Sequence, residues 1–389
     1  MRLLYINHTT HPSGAGISLS TLLRHLPADI EKYFLLPRGS AIDGLLGAAP
    51  ERSYRERWLC QFMTTLYSPQ YSPGLFVWHL AKFPLALLRV RHLVRRWRID
   101  LVHVNETTLI AYALAARLAG VPVVLHARTA IVPRPFEHFL LRKFGGLRHA
   151  RVVAIDSEVK ASLPAECRRI TEVIHNPIDL GPAPTEAEIA ALRASWGCGP
   201  EDVVVGQVAS LHQQKGVWLI LRLAERLCVE FPKLRIVLVG NDAAAAGEGP
   251  QLRAAIRERG LDGRVILAGY ETRLAMVYAA LDTALCLFGG ELGGVGRAAY
   301  EAAVAGKPLV ATLPDPQRSE TLENGVSGLL FTPDDEAGIA EGLRRLIRDP
   351  TLRRTLGASG QASIGHRHSP PHIAEKMRNL YGEMTAEPE

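Results

Sequence analysis

The chain has 389 residues, a length that suggests two domains of ordinary size. Hydrophobic residues make up 47% and charged residues 22%, which excludes disorder as the dominant state, and 34 Gly and 25 Pro without a repeat exclude a collagen-like fibre. The formal net charge is +6, but residues 1–190 hold 23 Lys and Arg against 15 Asp and Glu, whereas the remainder holds 22 against 24. This basic N-terminal half indicates an anionic partner, with a solvated basic face as the alternative.

Five scattered cysteines form no CxxC pair and no Cys/His metal spacing. We therefore expect reduced thiols, a cytoplasmic location and no metal site. Residues 1–7 are typical of a strand and lack the features of a signal peptide. The longest uncharged stretch, 58–81, is interrupted by Ser68-Pro69-Gln70-Tyr71-Ser72-Pro73-Gly74, which argues against a transmembrane helix.

Short apolar runs alternate with helical patterns along most of the chain. In the N-terminal half, the runs that predict strands are 3–6, 101–104, 121–125 and 152–155. Helices are predicted from about 18 to 26 and from 108 to 119. After a Pro- and Gly-rich linker at 178–184, the runs that predict strands are 203–206, 235–240, 265–267, 284–287 and 309–311. A last helix is predicted over about 373–381.

Continuous apolar runs separated by helices are typical of parallel strands that are buried on both faces. Two successive series of strand–helix units therefore predict two doubly wound α/β domains. Ligands of such sheets bind beyond the carboxyl ends of the strands, and two such domains make a cleft between them.

Three loops that follow predicted strands carry residues suited to binding phosphate. In the first, His11-Pro12-Ser13-Gly14-Ala15-Gly16-Ile17-Ser18, glycines and a helix N-terminus leave backbone N–H groups for an anion, although a plain tight turn has the same pattern. The second loop places Lys215 just before Gly216 at a helix start, where a lysine can pair with a phosphate. A surface lysine is the alternative.

The third loop, from Phe288 to Ala302, has five glycines in eight residues, which leaves many N–H groups available to phosphates. A helix is predicted to begin near Arg297, and Glu301 lies about one turn into it. A carboxylate at this place can accept two hydrogen bonds from a ribose diol. The alternative is a first-turn acid that the helix dipole favours.

These three loops, in this order, resemble family 4 retaining glycosyltransferases of the GT-B fold, also called glycosyl transferases group 1. The clearest stretch is Gly294-Val295-Gly296-Arg297 with Glu301-Ala302 and Gly306-Lys307-Pro308, which is similar to the family's E-G-F-G-x-x-x-x-E-A-x-A-x-G-x-P block. Two further segments of the chain also resemble segments of the family. They are Glu320 with Glu323-Asn324-Gly325, and Asn176-Pro177-Ile178-Asp179. The resemblance covers most of the chain and implies two Rossmann-like domains that face each other across a cleft.

The resemblance implies an acceptor-side domain at 1–180, a nucleotide-sugar-binding domain at 181–369, and a C-terminal helix at 370–389 that packs back on the first domain. The implied reaction moves a sugar from a nucleotide-diphosphate sugar, with UDP or GDP expected, to an acceptor hydroxyl. It would retain the anomeric configuration and need no metal or other cofactor. We expect a glycan or lipid-linked acceptor and a role in cell-envelope polysaccharide or glycolipid synthesis.

By resemblance, His126 would lie beside the transferred sugar, and Glu291 on the Gly-rich loop would reach the same sugar. Arg128 would hold an anionic group of the donor or the acceptor. The residues implied in donor binding are Gly14, Gly16, Ser210, Lys215, Gly294, Val295, Gly296, Arg297 and Glu301. A structural histidine at a strand end is the alternative for His126.

Two positions depart from the family's pattern. The Glu usually found eight residues before the second Glu is replaced by Gly293, and the Arg usually found five residues before the Lys is replaced by Ser210. One phosphate-neutralising charge is thus missing, and Arg297 is the residue that could compensate. The departures leave two other interpretations open: a catalytically weak homologue that acts as a binding protein, and a nucleotide-sugar epimerase on the same fold.

Residues 83–98 predict a basic amphipathic helix. Apolar residues at 87, 90, 93, 94 and 97 alternate with arginines at 89, 91, 95, 96 and 98, a pattern typical of binding to an anionic lipid surface. We therefore expect peripheral attachment to the inner face of a membrane. The alternative is an apolar stripe that packs on the sheet. No nucleic-acid partner is expected, because no recognition fold accompanies the charge.

Overall fold

Two units, each built on one parallel β-sheet, make up the chain. The computed structural model describes residues 1–10, 14–40, 42–57, 59–61, 73–131, 135–241, 248–288, 296–317 and 322–386. Unit 1 consists of Met1–Pro177 together with His368–Glu389, and unit 2 of Ile178–Arg367. The C-terminal helix therefore belongs to the first unit.

Seven parallel strands form the sheet of unit 1, in the order β3-β2-β1-β4-β5-β6-β7. These strands are β1 (Arg2–Ile6), β2 (Glu31–Pro37), β3 (Ser53–Glu56), β4 (Leu101–Val104), β5 (Val123–Ala127), β6 (Ala150–Ala154) and β7 (Thr171–Val173). The helices of this unit are α1 (Gly14–His25), α2 (Asp43–Leu46), α3 (Pro73–Trp97), α4 (Ile110–Leu118), α5 (Pro135–Gly145), α6 (Ser157–Ser162), α7 (Ala165–Arg169) and α15 (Pro370–Ala386).

Helices cover both faces of this sheet, which is why its central strands are apolar throughout. Alternate residues point to opposite faces, so that Leu4 packs with α3, α4 and α5, whereas Leu3 and Tyr5 pack with α1 and α15. The α15 side of the core is completed by Met377 and Tyr381, both buried. The C-terminal helix is thus part of the core of unit 1.

Six parallel strands form the sheet of unit 2, in the order β10-β9-β8-β11-β12-β13. These strands are β8 (Val203–Val208), β9 (Leu234–Val239), β10 (Val265–Gly269), β11 (Thr283–Cys286), β12 (Leu309–Thr312) and β13 (Leu329–Phe331). The helices of this unit are α8 (Glu186–Ser195), α9 (Val217–Glu230), α10 (Gly249–Glu258), α11 (Leu274–Ala280), α12 (Arg297–Val304), α13 (Glu336–Arg348) and α14 (Pro350–Ile364).

Each sheet has a switch point, where the direction in which successive strands are added reverses. It lies between β1 and β4 in unit 1 and between β8 and β11 in unit 2. The loops that leave adjacent strands there diverge to opposite faces and open a crevice at the carboxyl edge of the sheet. All three predicted phosphate loops follow strands at these switch points.

The predicted strands are present, with boundaries shifted by one or two residues where they differ. Four strands lack a prediction, namely β2, β3, β7 and β13. They include both edges of the first sheet and one edge of the second, where strands are short and less continuously apolar. Helix α1 begins at Gly14 rather than near Ser18, so Gly14 and Gly16 lie in its first turn and not in a preceding loop.

Helix α3 corrects the prediction for residues 83–98. Val90 and Leu93 are fully buried and Val94 nearly so, and Leu87 and Trp97 pack against the same core. The apolar stripe predicted to face lipid therefore packs on the sheet. The exposed apolar side chains of α3 come from a different set: Val77, Trp78, Leu80, Leu85 and Leu88.

Among the described helices, none is both long and apolar enough to cross a membrane.

The place of α15 in the core makes its buried face a determinant of stability. We expect Met377→Ala to lower the free energy of unfolding by about 3 kcal/mol, because it removes a fully buried side chain and leaves a cavity. Arg378→Ala, at the exposed neighbouring position, should change it by less than about 0.5 kcal/mol. Urea unfolding measures both, and equal effects would contradict the placement of α15.

Candidate functional site

Two loops meet at the switch point of unit 2. One follows β8 and ends in a short turn at Gln213–Lys215, directly before α9. The other follows β11 and leads to α12, with Gly296 as its N-cap residue. No side chain of the described residues caps either helix N-terminus, and the dipole at each start favours an anion.

Lys215 lies in the first of these loops, half-buried, with Nζ 4.7 Å from the centre of the Phe288 ring. Burial lowers the pKa of this lysine from its ordinary value. Cys286 is buried beside it, and burial raises the pKa of that thiol to about 12, an effect that Lys215 opposes and Glu301 adds to. Lys215 and Glu301, both predicted to bind the donor, are therefore close to the same thiol.

Close backbone approach explains two of the glycines in this region. Gly216 has a φ of +68°, and a Cβ there would lie 2.5 Å from the carbonyl oxygen of Leu287. At Gly296, a Cβ would lie 2.5 Å from the ring of Phe288. A larger residue at Gly216 would push the two loops apart, and one at Gly296 would displace the Phe288 ring within its own loop.

Gln207, at 4% exposure, joins the two loops. Its Nε2 donates to the carbonyl of Lys215 at 2.6 Å, and its Oε1 accepts from the backbone N–H of Leu287 at 3.1 Å. Next along the chain, the Phe288 backbone N–H donates to Oγ1 of Thr312 at 2.7 Å. The side-chain amide of Gln207 and the hydroxyl of Thr312 therefore hold the backbone at Lys215, Leu287 and Phe288 in place.

Glu301 is buried in the first turns of α12. Its Oε1 accepts from Nε of Arg297 at 2.7 Å, and its Oε2 accepts from the hydroxyl of Tyr278 at 3.1 Å. Burial and the nearby carboxylate hold the pKa of Tyr278 well above its ordinary value, so the phenol remains a donor. Arg297 therefore balances the charge of Glu301, and its predicted compensation for the missing phosphate-binding arginine stays a prediction.

In unit 1, His126 is the fourth residue of β5 and is nearly fully buried. Its Nδ1 lies 3.3 Å from Nε2 of His103, and Nδ1 of His103 lies 2.6 Å from the hydroxyl of Tyr381. Burial and the charge of Arg128 lower the pKa of His103 to about 3 and that of His126 well below its ordinary value. Both imidazoles are therefore neutral at physiological pH.

Arg128 follows β5 and is also buried, at 7% exposure. Its Nε donates to Oδ1 of Asn105 at 2.7 Å, and its Nη1 donates to Oδ1 of Asn176 at 2.6 Å. Asn105 in turn donates to Oδ1 of Asn7 at 2.8 Å. Residues that follow β1, β4, β5 and β7 are thus linked along the carboxyl edge of the sheet.

A buried carboxylate lies next to this network. Glu106 accepts from the backbone and the hydroxyl of Thr107, and burial raises its pKa while Arg128 and these hydrogen bonds oppose the rise. The charge of Arg128 thus favours the ionised form of a carboxylate that is largely removed from water, by lowering its pKa against the effect of burial.

Of the other predicted site residues, some are described by the structure and the rest lie outside the described residues. Gly14 and Gly16 are in the first turn of α1, and Ser210 is exposed just after β8. Outside the described residues are Glu291, Gly294 and Val295, as are Gly293 and Glu320. In the ranges that the structure describes, no group of His, Cys, Asp or Glu is arranged to hold a metal ion.

Sequence reasoning missed the residues that hold the predicted ones in place: His103, Asn105, Glu106, Asn176, Gln207, Tyr278, Thr312 and Tyr381. A usable signal existed for some of them, because a polar residue inside or just after an apolar strand run marks its carboxyl end. Tyr381 had no such signal, since only the packing of α15 brings it to His103.

The chain matches two family models that together span most of its length. Residues 12–181 match the model described as Glycosyltransferase Family 4, and residues 188–363 match Glycosyl transferases group 1. The chain belongs to this glycosyltransferase family. The family predicted from the sequence is thereby confirmed.

Two curated relatives cover most of this glycosyltransferase. The 2-deoxystreptamine glucosyltransferase of Streptomyces kanamyceticus is 29% identical over 305 residues, which is 71% of this chain and 76% of the relative. The N-acetyl-alpha-D-glucosaminyl L-malate synthase of Bacillus anthracis is 22% identical and covers 78% of this chain and 80% of its own length.

A solved structure shares the fold of the glycosyltransferase. Anabaena HepE, crystallised with UDP, has a TM-score of 0.78 and 23% identity over 98% of this chain and 100% of its own, and HepE has also been solved with UDP-glucose. The similarity, together with the two parallel sheets, confirms the predicted GT-B fold.

The buried pair in α12 gives a test of the site's electrostatics. We expect Glu301→Gln and Arg297→Met each to lower the free energy of unfolding by about 3 kcal/mol, because each leaves an uncompensated buried charge. The double variant should lose much less than the two single losses added together, since neither charge then remains.

The control is the exposed pair Arg222 and Glu336, at 3.0 Å, for which the corresponding variants should cost below about 1 kcal/mol. Additive losses at 297 and 301 in urea unfolding would show that the two charges do not stabilise each other.

Proposed function

We propose that this chain is a retaining glycosyltransferase that moves a hexose from a UDP-sugar to an acceptor hydroxyl. The observation that carries the proposal is the convergence of Lys215, two helix N-termini and the buried carboxylate of Glu301 at the switch point of unit 2. A cation and helix N-termini suit a diphosphate, and a carboxylate suits a ribose diol. The complexes of HepE with UDP and UDP-glucose support uridine over guanosine.

The leaving diphosphate determines what the site has to supply. As the bond between C1 of the sugar and the phosphate oxygen breaks, its electron pair passes to that oxygen, where negative charge develops. Lys215 and the N-terminal amides of α9 and α12 stabilise this charge in a partly buried setting, where electrostatic stabilisation is strong. With these groups in place, the proposed mechanism assigns no role to a metal ion.

Retention follows in this proposal from attack on the face that the leaving group vacates. The acceptor oxygen bonds to C1, and its proton passes to the departing phosphate oxygen. His126 contacts the transferred sugar through Nε2. Arg128, whose side chain is fixed by Asn105 and Asn176, attracts an anionic group of donor or acceptor.

The ion pair of Glu301 is compatible with ribose binding. A carboxylate has about four lone-pair positions, and Arg297 and Tyr278 occupy one on each oxygen. Two ribose hydroxyls can therefore donate to the remaining positions. These two hydrogen bonds orient the carboxylate before the donor arrives.

Nucleotide binding tests the proposal most directly. Of UDP, GDP, ADP and TDP, we expect UDP to raise the melting temperature of the protein most, because UDP is the proposed leaving group. A ligand that binds only the folded state adds about 2.7 kcal/mol of stability at 100 times its Kd. Lys215→Met should weaken UDP binding about ten-fold or more, as expected for a charge-assisted hydrogen bond. Lys233→Met, at an exposed lysine of the same unit paired with Glu201, is the matched control and should bind as the wild type does.

Turnover separates the remaining interpretations. A retaining transferase should slowly hydrolyse UDP-glucose and release α-glucose first, which NMR detects before mutarotation, and a chelator should leave the rate unchanged. Release of β-glucose would contradict retention. UDP binding without release of UDP from UDP-glucose would instead support the binding-protein interpretation.

The acceptor is proposed to be a glycan or a lipid-linked glycan of the cell envelope, met at the inner face of a membrane. The observation behind this is the outward face of α3. Between residues 77 and 88 it exposes Val77, Trp78, Leu85 and Leu88, and between 91 and 96 it exposes Arg91, His92, Arg95 and Arg96. No acidic residue occurs in its sequence from 73 to 97. Apolar and basic side chains on one face suit an anionic lipid surface.

Flotation with liposomes tests this surface. Vesicles that contain phosphatidylglycerol should carry the protein upward at low salt, and phosphatidylcholine vesicles should carry less. The Trp78→Ser, Leu85→Ser variant should lose most of the binding, whereas Leu118→Ser, at an equally exposed leucine of α4, should lose none. Binding should fall at high salt, because each arginine contributes about 1 kcal/mol through screened attraction.

Absence of binding at low salt would contradict the membrane proposal. It would favour a small acceptor in solution, such as the aminocyclitol in the name of the Streptomyces relative.

A further inference from the structure

Tyr381 and His103 form a hydrogen-bonded chain behind His126. His103 comes from β4, which pairs with β5 in parallel register, so that its side chain lies on the same sheet face as His126. Tyr381 comes from α15, the helix that packs on this face of the sheet. The three groups are fully or almost fully buried, and the contacts run from the Tyr381 hydroxyl to Nδ1 of His103, and from Nε2 of His103 to Nδ1 of His126.

The far end of the chain is open. Nε2 of His126 is a buried atom that has no hydrogen-bond partner in the described ranges of the structure. A buried polar atom without a partner is costly, so its presence in a native site asks for an explanation. A ligand that completes this bond at the carboxyl end of β5 is such an explanation, and it needs the ring nitrogen to be in a definite state.

A neutral imidazole carries one N–H, and the bond made by one nitrogen determines where that hydrogen sits. Burial and the guanidinium of Arg128 keep both His103 and His126 neutral. With both rings neutral, the hydrogen bond between them uses one hydrogen, carried either by Nε2 of His103 or by Nδ1 of His126. Its direction is determined at the tyrosine end.

The chemistry of the two groups indicates that direction. A phenol is a stronger hydrogen-bond donor than a neutral imidazole N–H, and an imidazole nitrogen is a stronger acceptor than a phenol oxygen, so we infer that the Tyr381 hydroxyl, 2.6 Å from Nδ1 of His103, donates to it. If the phenol donates to Nδ1, the N–H of His103 is on Nε2 and donates to Nδ1 of His126. The N–H of His126 is then on Nε2, where it faces the open position.

We propose that Tyr381 and His103 are positioning residues that hold His126 in its Nε2–H tautomer, so that it presents a hydrogen-bond donor to an oxygen of the transferred sugar. The tautomer itself is a property of the free protein. Only the identification of the bound oxygen as a sugar oxygen rests on the proposed function. The C-terminal helix thereby contributes to the site through one hydroxyl group.

The tautomer can be read in the full-length protein without substrate. Long-range ¹H–¹⁵N spectra of ¹⁵N-histidine-labelled protein distinguish the protonated from the bare ring nitrogen, and His126→Gln assigns the signals. In the wild type we expect the hydrogen on Nε2 of His126. In Tyr381→Phe, which removes one oxygen atom and keeps the ring in the core, the Nδ1–H form should become populated.

Turnover of UDP-glucose gives a second readout. We expect Tyr381→Phe and His103→Leu to lower kcat about ten-fold with the KM for donor changed less than about two-fold, as expected for loss of a partner that orients a functional imidazole. His103→Gln should recover most of kcat, because its amide can donate to Nδ1 of His126. The matched control is Tyr112→Phe, another fully buried tyrosine of unit 1, whose hydroxyl bonds to Glu56 instead.

The outcomes are distinguishable. An Nδ1–H form of His126 in the wild type, or an unchanged tautomer in Tyr381→Phe, would overturn the inference whatever the activity. A shifted tautomer in a protein without turnover would support the inference and contradict the proposed function. If His103→Leu does not fold, the comparison of Tyr381→Phe with Tyr112→Phe still tests the inference.

Discussion

All strands of each sheet run in the same direction, and the site depends on that constraint. Parallel strands require crossover helices, which cover both faces and leave only the edges of the sheet open to polar groups. Every carboxyl end then lies along one edge. In unit 1 this edge carries His126, Arg128 and the asparagines that bind Arg128; in unit 2 it carries Gln207 and the loop of Lys215. Residues far apart in sequence become neighbours there because the strand order brings them together.

Burial stabilises the sheets, but it also raises the free-energy cost of the charged side chains that are buried with them. Arg128, Glu106 and Glu301 are all nearly inaccessible to water, and each is held by at least two hydrogen bonds. Such groups lose little freedom when a ligand arrives, which favours tight positioning of the ligand. His103 and His126 differ from these charged residues. Burial and the nearby Arg128 keep both imidazoles neutral, so they can act only through hydrogen bonds.

Sequence reasoning was strongest where chemistry and local pattern coincide. Lys215 lies directly before Gly216 and α9, and Glu301 lies about one turn into the Gly-capped helix α12, as the local pattern predicted. Their roles in phosphate and ribose binding stay predictions. Sequence reasoning failed for residues 83–98, because an amphipathic helix has the same period whether its apolar face meets lipid or a sheet. The burial of Val90 and Leu93 shows that the predicted stripe packs on the sheet, whereas the exposed apolar side chains, Trp78 and Leu85 among them, lie between residues 77 and 88.

The sequence by itself determined the family, the two α/β units and the loops that carry the candidate donor site, because these rest on apolar periodicity and local motifs. Tertiary structure alone decided which residues support them. Nothing near His126 in the sequence points to Tyr381, which is brought to it through His103 when α15 packs on the sheet of unit 1. Gln207 likewise gains its role only when β8 and β11 pair. Hydrogen bonds between distant segments depend on packing, and a local pattern contains no information about that.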